Sequence, residues 1–267
     1  MYEILKIYAF IVRKFINKKK NIKKMHPHLK KGYEEYLKLK DKEIVEIENR
    51  KFKIIKIKTK IFQGGEDLIG YIYENLKESL KDNDILTVAE SIIGVTQNRA
   101  YRVDEIKPSK WAYFLYPWVS NVDYGTGLGM AETMECAIRE VGLKRILKAT
   151  FFGFLDRIRK KSGSFYRIAG KEVKSIDFKK NHPIPFKGSN NYIVLSPKEP
   201  EIFAKKVYKK FSKNIFVSVV DANNVSVDVL ALYPEDKKIE KIIYNVMKGN
   251  PAGQDDEKTP IIIIREI

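Results

Sequence analysis

The chain has 267 residues, of which 44% are hydrophobic, and carries 51 Lys/Arg against 34 Asp/Glu for a formal charge of +17. That is enough apolar content for one large packed domain or two small ones. A single cysteine, Cys136, excludes an internal disulfide, and no Cys/His cluster has zinc spacing, so a reducing, cytoplasmic setting is expected.

Residues 1–60 hold 19 Lys/Arg and 7 Asp/Glu, so +12 of the +17 lies there. The basicity therefore belongs to an N-terminal arm, and nucleic acid is not the expected partner of the main domain. Residues 1–16 place Ile4, Leu5, Tyr8, Ile11, Val12 and Phe15 at helical spacing. The uncharged run inside them is far shorter than a membrane span of about 20 residues, and no small-residue cleavage site follows. An amphipathic helix can dock on the domain, dimerise, or lie on an anionic membrane through residues 1–24. Docking is the expected use.

A short helix is expected over residues 30–40. Lys51–Phe62 reads as one strand, and Glu66-Asp67 opens a helix running to about Leu80. Ile85–Val88 reads as a short buried strand leading to Glu90-Ser91. The aromatic run Trp111–Val119 suits a core or an interface. Gly125–Gly129 precedes a helix over Ala131–Val141, with a spacing that fits neither dinucleotide nor Walker fingerprints. Phe165–Val173 reads as a strand, Asp177–Ser189 as a loop, and Asn191–Leu195 as a strand. A helix over Glu201–Phe211 and another over Ile239–Met247 complete the pattern. Irregular alternation with hairpins predicts an α+β fold with mixed and antiparallel sheets and packed helices, not a doubly wound sheet.

Two stretches carry candidate chemistry. Val217–Leu230 reads as strand, tight turn, strand, with Asp221 at the end of the first strand. A carboxylate held by a buried strand end suits a metal or phosphate site. Ordinary turn chemistry in Asp221-Ala222-Asn223-Asn224 is the competing reading. Asn250–Thr259 is a loop rich in oxygen ligands that leads into the strand Pro260–Ile264.

Several stretches, in order, resemble the γ-glutamyl ligase family that elongates the deazaflavin coenzyme F(420). They are Gly64-Gly65-Glu66-Asp67-Leu68, Ile85–Arg99, Leu195–Pro200, Val217–Asp221 and Gly253–Glu257 followed by Pro260–Arg265. The likeness covers roughly residues 55–267. It divides the chain into a basic helical extension, 1–50, and a ligase-like domain, 51–267. The resemblance implies a GTP- or ATP-dependent ligase that phosphorylates a small-molecule carboxylate and joins it to glutamate. It implies Mg²⁺ or Mn²⁺ held by Asp221, Gln254 and Asp177. The nucleotide would be contacted by Glu90, Ser91, Asn181, Gly253 and Gln254, in a homodimer. No residue is assigned to catalysis. The family has Thr where this chain has Ala222, and lysines where it has Ser91 and Val95. Two other readings stay open: a non-catalytic nucleotide- or phospho-ligand-binding protein on the same fold, and a basic adaptor for RNA or membrane.

Overall fold

The computed structural model describes residues 3–9, 12, 27–119, 127–159, 161, 163–180, 191–253 and 257–267. They fall into two compact units, each assembled from separate stretches. The first is Met1–Lys24 with Ala100–Ser196, and the second is Met25–Arg99 with Pro197–Ile267. The fold is α+β, as expected.

The second unit is built on a mixed sheet of six strands. In chain order these are β1 (Ile44–Ile47), β2 (Arg50–Ile57), β3 (Ile85–Ala89), β7 (Phe216–Ala222), β8 (Val227–Tyr233) and β9 (Ile261–Glu266), in the spatial order β1-β2-β9-β3-β7-β8. Only β3 and β7 run parallel; the other neighbours are antiparallel. The chain's last strand is thus central. Ile261–Ile264 is buried throughout, which is why β9 reads as a continuous apolar run without alternation. Helix α10 (Lys237–Met247) packs Ile242, Ile243 and Val246 with Phe52, Ile54, Ile262 and Ile264 on one face. Helices α2 (Leu68–Leu76) and α9 (Pro200–Lys210) pack together, with α9 lying on β7 and β8. Helix α1 (Pro27–Leu39) and β1 belong to this unit too.

The strand expected over Lys51–Phe62 is present as β2, which ends at Ile57, and it forms the second arm of a hairpin with β1. Glu48 and Asn49 turn the chain at φ 52° and 63°, a two-residue connection with both central residues left-handed that matches strand twist. The helix expected to reach Leu80 stops at Leu76. Its cap is Asp67, whose carboxylate accepts from the Gly70 amide at 2.9 Å.

The first unit has a three-stranded antiparallel sheet, β4 (Ala100–Arg102), β5 (Asp177–Lys180) and β6 (Asn191–Val194), with β6 in the middle. Helices α4 (Lys110–Leu115), α5 (Ala131–Val141), α6 (Leu143–Ile158), α7 (Ser164–Ala169) and α8 (Lys171–Lys174) share its core. Phe165–Val173 is therefore helical, not a strand. Asp177 opens a strand, not a loop, because Asp177–Lys180 pairs with Asn191–Val194. The run Trp111–Val119 divides: Ala112, Leu115 and Val119 are core, while Trp111 is 47% exposed.

A buried carboxylate ties α5 to α4. Glu135, 7% exposed, accepts from the Ser109 amide and from Arg139 Nε, each at 2.9 Å. Burial pushes its pKa up, but the hydrogen bonds from Ser109 and Arg139 outweigh it, so the net displacement is downward. A depressed folded pKa gives stability that is present above the unfolded value and lost as pH falls through the folded one. Wild type is therefore expected to melt higher than Glu135→Gln at neutral pH, by about 1.5–3 kcal/mol equivalent. The gap should close below the ordinary glutamate range. Parallel melting profiles for the two proteins from pH 7 to 3 would contradict this.

Candidate functional site

The site residues named from the sequence fall on both units. Glu90, Ser91, Asp221 and Gly253 belong to the second; Asp177 belongs to the first, half-buried at the head of β5. Asn181 and Gln254 lie outside the described residues, as do Asp255 and Asp256.

Within the second unit the geometry gathers the expected residues along one sheet edge. Ala89 pairs with Val220 in the parallel ladder, so the next residues, Glu90 and Asp221, stand side by side at neighbouring strand ends. Glu90 is 9% exposed and begins helix α3 (Glu90–Thr96). Ser91 follows it, half-buried. Asp221 in turn lies directly opposite Asp228 on β8, which puts two carboxylates on the same face of an antiparallel pair. Pro260 reaches the same edge, where its carbonyl accepts from the Ala89 amide at 2.8 Å.

The two loops singled out in the sequence meet here. Asn223 closes the β7–β8 turn by accepting from the Val225 and Ser226 amides, both at 3.0 Å. Its neighbour Asn224 accepts from Asn250 Nδ2 at 2.9 Å. Asn250 is 5% exposed, and its Oδ1 has no hydrogen-bond partner. Gly253 adopts φ +78°, a left-handed conformation that favours glycine. Helix α1 braces this edge. A Cβ on Gly32 would stand 2.1 Å from the Val225 carbonyl oxygen, so only glycine lets the helix approach the hairpin so closely. Glu35 also pairs with Lys248 at 3.1 Å.

The donor set at this edge is all oxygen, the chemistry that a hard divalent cation takes. The orphaned Asn250 Oδ1 is an acceptor of the same kind. Among the described residues, however, no three His, Cys, Asp or Glu side chains are grouped to hold a metal ion. Glu90, Asp221 and the Asn250 carboxamide offer at most a partial set of oxygen ligands for Mg²⁺ or Mn²⁺. Cys136 contributes nothing: it is 3% exposed and burial pushes its thiol up to about 12, so it is neither nucleophile nor ligand.

A second feature of this unit is a cleft of about 210 Å³ lined by Glu66, Asp67, Thr96, Gln97, Lys198 and Lys206, among others. Three of the motif stretches form its walls. Gln97 holds two of them together by donating to the Lys198 carbonyl at 3.0 Å and accepting from the Lys198 amide at 2.7 Å. Lys60 and the Gln63 amide hold Glu66 below the usual carboxylate range. The cleft is smaller than the 300–1,000 Å³ of drug-sized pockets.

Sequence reasoning did not single out Asp228, Lys206, or Asn224 and Asn250 individually within the two loops. Asp228 was legible as the first acid after the Asn-Asn turn, had the two strands been set in register. The others required the tertiary fold.

Residues 56–224 match the family described as F(420)-0:Gamma-glutamyl ligase. The match ends at the hairpin turn, so the 250–260 loop lies beyond it. The chain is also 27% identical over 168 residues to the uncharacterized protein MJ1361 of Methanocaldococcus jannaschii. The alignment covers 61% of this chain and 54% of that relative, so the chain spans about half the length of the curated relative it matches.

Proposed function

Because the chain belongs to the F(420)-0:gamma-glutamyl ligase family, we propose that it is a nucleotide- and divalent-metal-dependent ligase joining a small-molecule carboxylate to glutamate or a related amine. The observation that supports this most is the parallel register that sets Glu90, just after β3, next to Asp221 on β7, on the side of the Asn224–Asn250 hydrogen bond.

In this reading a carboxylate oxygen of the acceptor takes the terminal phosphoryl group of GTP or ATP, releasing the nucleoside diphosphate. The amine nitrogen of glutamate then attacks the acyl carbon. Phosphate leaves, a proton is lost from nitrogen, and the amide forms. Bound Mg²⁺ or Mn²⁺ would supply charge neutralisation for the polyphosphate. Asp221 would hold the ion, with Gln254 in the role that the family resemblance assigns it. Glu90, Ser91 and Gly253 would contact the nucleotide. The small cleft beside Gln97 would take the carboxylate end of a substrate. A cytoplasmic homodimer is the assembly that accompanies this reading.

A second reading is favoured by the positions where family residues are replaced. Val95 is 8% exposed and packed inside α3, and Ala222 offers no side-chain oxygen. A lysine lost beside a polyphosphate removes a charge-assisted contact worth about 1.5–3 kcal/mol. A nucleotide-binding protein without ligation would follow.

The test is a thermal-melt titration with GTP and ATP, with and without Mn²⁺. Nucleotide at about a hundred times its dissociation constant adds nearly 3 kcal/mol. A metal-dependent shift is expected, and absence of any shift with either nucleotide overturns both readings. Release of nucleoside diphosphate in the presence of glutamate and a carboxylate acceptor separates the ligase from the binder.

A further inference from the structure

The first unit presents an apolar face that its own core does not use. Helix α6 buries Ile146 and Ala149 in the core of that unit. On the other side Phe151 is 58% exposed, Phe152 39%, Phe154 42% and Ile158 64%. At about 100° per residue these four lie away from Ile146 and Ala149. A helix needs one apolar stripe to pack against its domain, and this one has two.

A second element extends the face. In the helix over residues 3–9, Ala9 is fully buried and Tyr8 stacks on Phe114 with ring centroids 5.3 Å apart, while Ile4 and Ile7 are 70% and 59% exposed. Trp118 links this helix to α6. Its Nε1 donates to the Tyr8 hydroxyl at 2.7 Å, and its ring meets Phe154 edge-on at 5.8 Å. Trp111 joins through Phe114 at 6.2 Å. The exposed apolar residues therefore sit on elements connected by one aromatic layer. Scattered exposed side chains would be unremarkable, but a connected set of this size marks an interaction surface.

Charge identifies the partner. Outside the N-terminal arm, residues 100–196 carry 17 Lys/Arg against 9 Asp/Glu, a net +8. Basicity is thus a property of this stretch of the first unit as well as of the arm. On α6 the exposed Lys144 and Lys148 share the arc of Phe151 and Ile158, and the exposed Arg159 follows in the turn just past the helix. A second copy of so basic a face would be repelled. Nucleic acid would use the cations but has no use for exposed isoleucines.

We propose that this face is a peripheral docking surface for an anionic lipid bilayer. Phe151, Phe152 and Ile158 enter the boundary between headgroups and acyl chains, and Lys144, Lys148 and Arg159 meet lipid phosphates. Apolar insertion joined to basic side chains on the same arc gives the two signals that stable interfacial attachment needs. The docking is peripheral, since among the described residues no helix is long and apolar enough to cross a membrane.

The test is flotation of the full chain with phosphatidylcholine vesicles, with and without phosphatidylglycerol. Binding is expected only with the anionic lipid, accompanied by a blue shift of tryptophan fluorescence as Trp111 leaves water. Phe151→Ser with Phe152→Ser, and separately Lys144→Glu with Lys148→Glu, are each expected to weaken binding by about tenfold or more. These side chains are exposed, so the melting temperature should hold in both variants. No binding to anionic vesicles, or binding indifferent to both pairs, overturns the proposal. So does loss of self-association in the phenylalanine variant with vesicle binding intact, which would make the face an interface between copies. Binding of an RNA oligomer in place of vesicles would overturn it equally.

Discussion

Arg265→Met is expected to destabilise the second unit by about 3–5 kcal/mol, the usual cost of removing one partner from a buried ion pair. Asp84 is 1% exposed and sits just before β3. Arg265, near the end of β9, grips it with two prongs, Nε to Oδ1 at 2.8 Å and Nη2 to Oδ2 at 2.6 Å. The same Nη2 donates to the Ser79 carbonyl at 2.7 Å. Without the guanidinium the carboxylate keeps the Lys81 amide at 2.7 Å but has no cation in a place water hardly reaches. The loss should appear as a lower midpoint of urea unfolding followed by far-UV circular dichroism. Asp84→Asn combined with Arg265→Met should recover much of it, since a neutral amide tolerates burial better than an uncompensated charge. A double variant no better than the single one would contradict the account. Asp84 lies at the opposite end of β3 from Glu90, so the strand-end carboxylates should be undisturbed. Below its unfolding transition Arg265→Met should keep whatever nucleotide response the wild type shows.

Much of the fold was legible where one physical signal dominated. β9 announced itself as four consecutive isoleucines, and α9 by Pro200 at its first turn. The errors arose where tertiary pairing overrode local pattern. Phe165–Val173 looks like a strand because its aromatic and β-branched residues are frequent in sheets. In the fold, Gly153 on α6 lets Phe165 come close enough that a Cβ there would meet Phe165 Cβ at 3.2 Å, and the segment stays helical against α6. Asp177–Lys180 hides as a strand because its side chains are largely charged; only its ladder with β6 identifies it. The Glu48-Asn49 turn was missed because glutamate is a rare occupant of a left-handed position.

The site was partly legible for a related reason. Asp221 could be found because a carboxylate after a buried β-branched run is conspicuous. That Glu90 is its neighbour depends on β3 and β7 being adjacent and parallel, which joins residues some 130 positions apart. Asn250 and Asn224 lie in two polar loops that each look ordinary alone. Their hydrogen bond, and the close approach of α1 through Gly32, exist only in the assembled sheet.

Asp221→Asn is expected to raise the melting temperature of the ligand-free protein while removing its metal-dependent response to nucleotide. Asp221 faces Asp228 across the β7–β8 ladder and stands beside the buried Glu90. Like charges directly opposite in an antiparallel pair destabilise it by about 0.2–1 kcal/mol. Asparagine keeps the shape and one acceptor oxygen, so local hydrogen bonds can persist while the repulsion falls. A cation-binding site carries such a cost because the bound cation reverses it. If Asp221 served only the turn, exchange for asparagine, itself a good turn residue, would leave stability nearly unchanged, and any metal-dependent shift would survive. The sign of the melting change and the fate of the Mn²⁺-dependent shift therefore test the same carboxylate from two sides. A stabilised variant that still responds to nucleotide would place the ligand elsewhere. A destabilised variant would mean that Asp221 holds the hairpin together and that the crowding with Asp228 costs nothing.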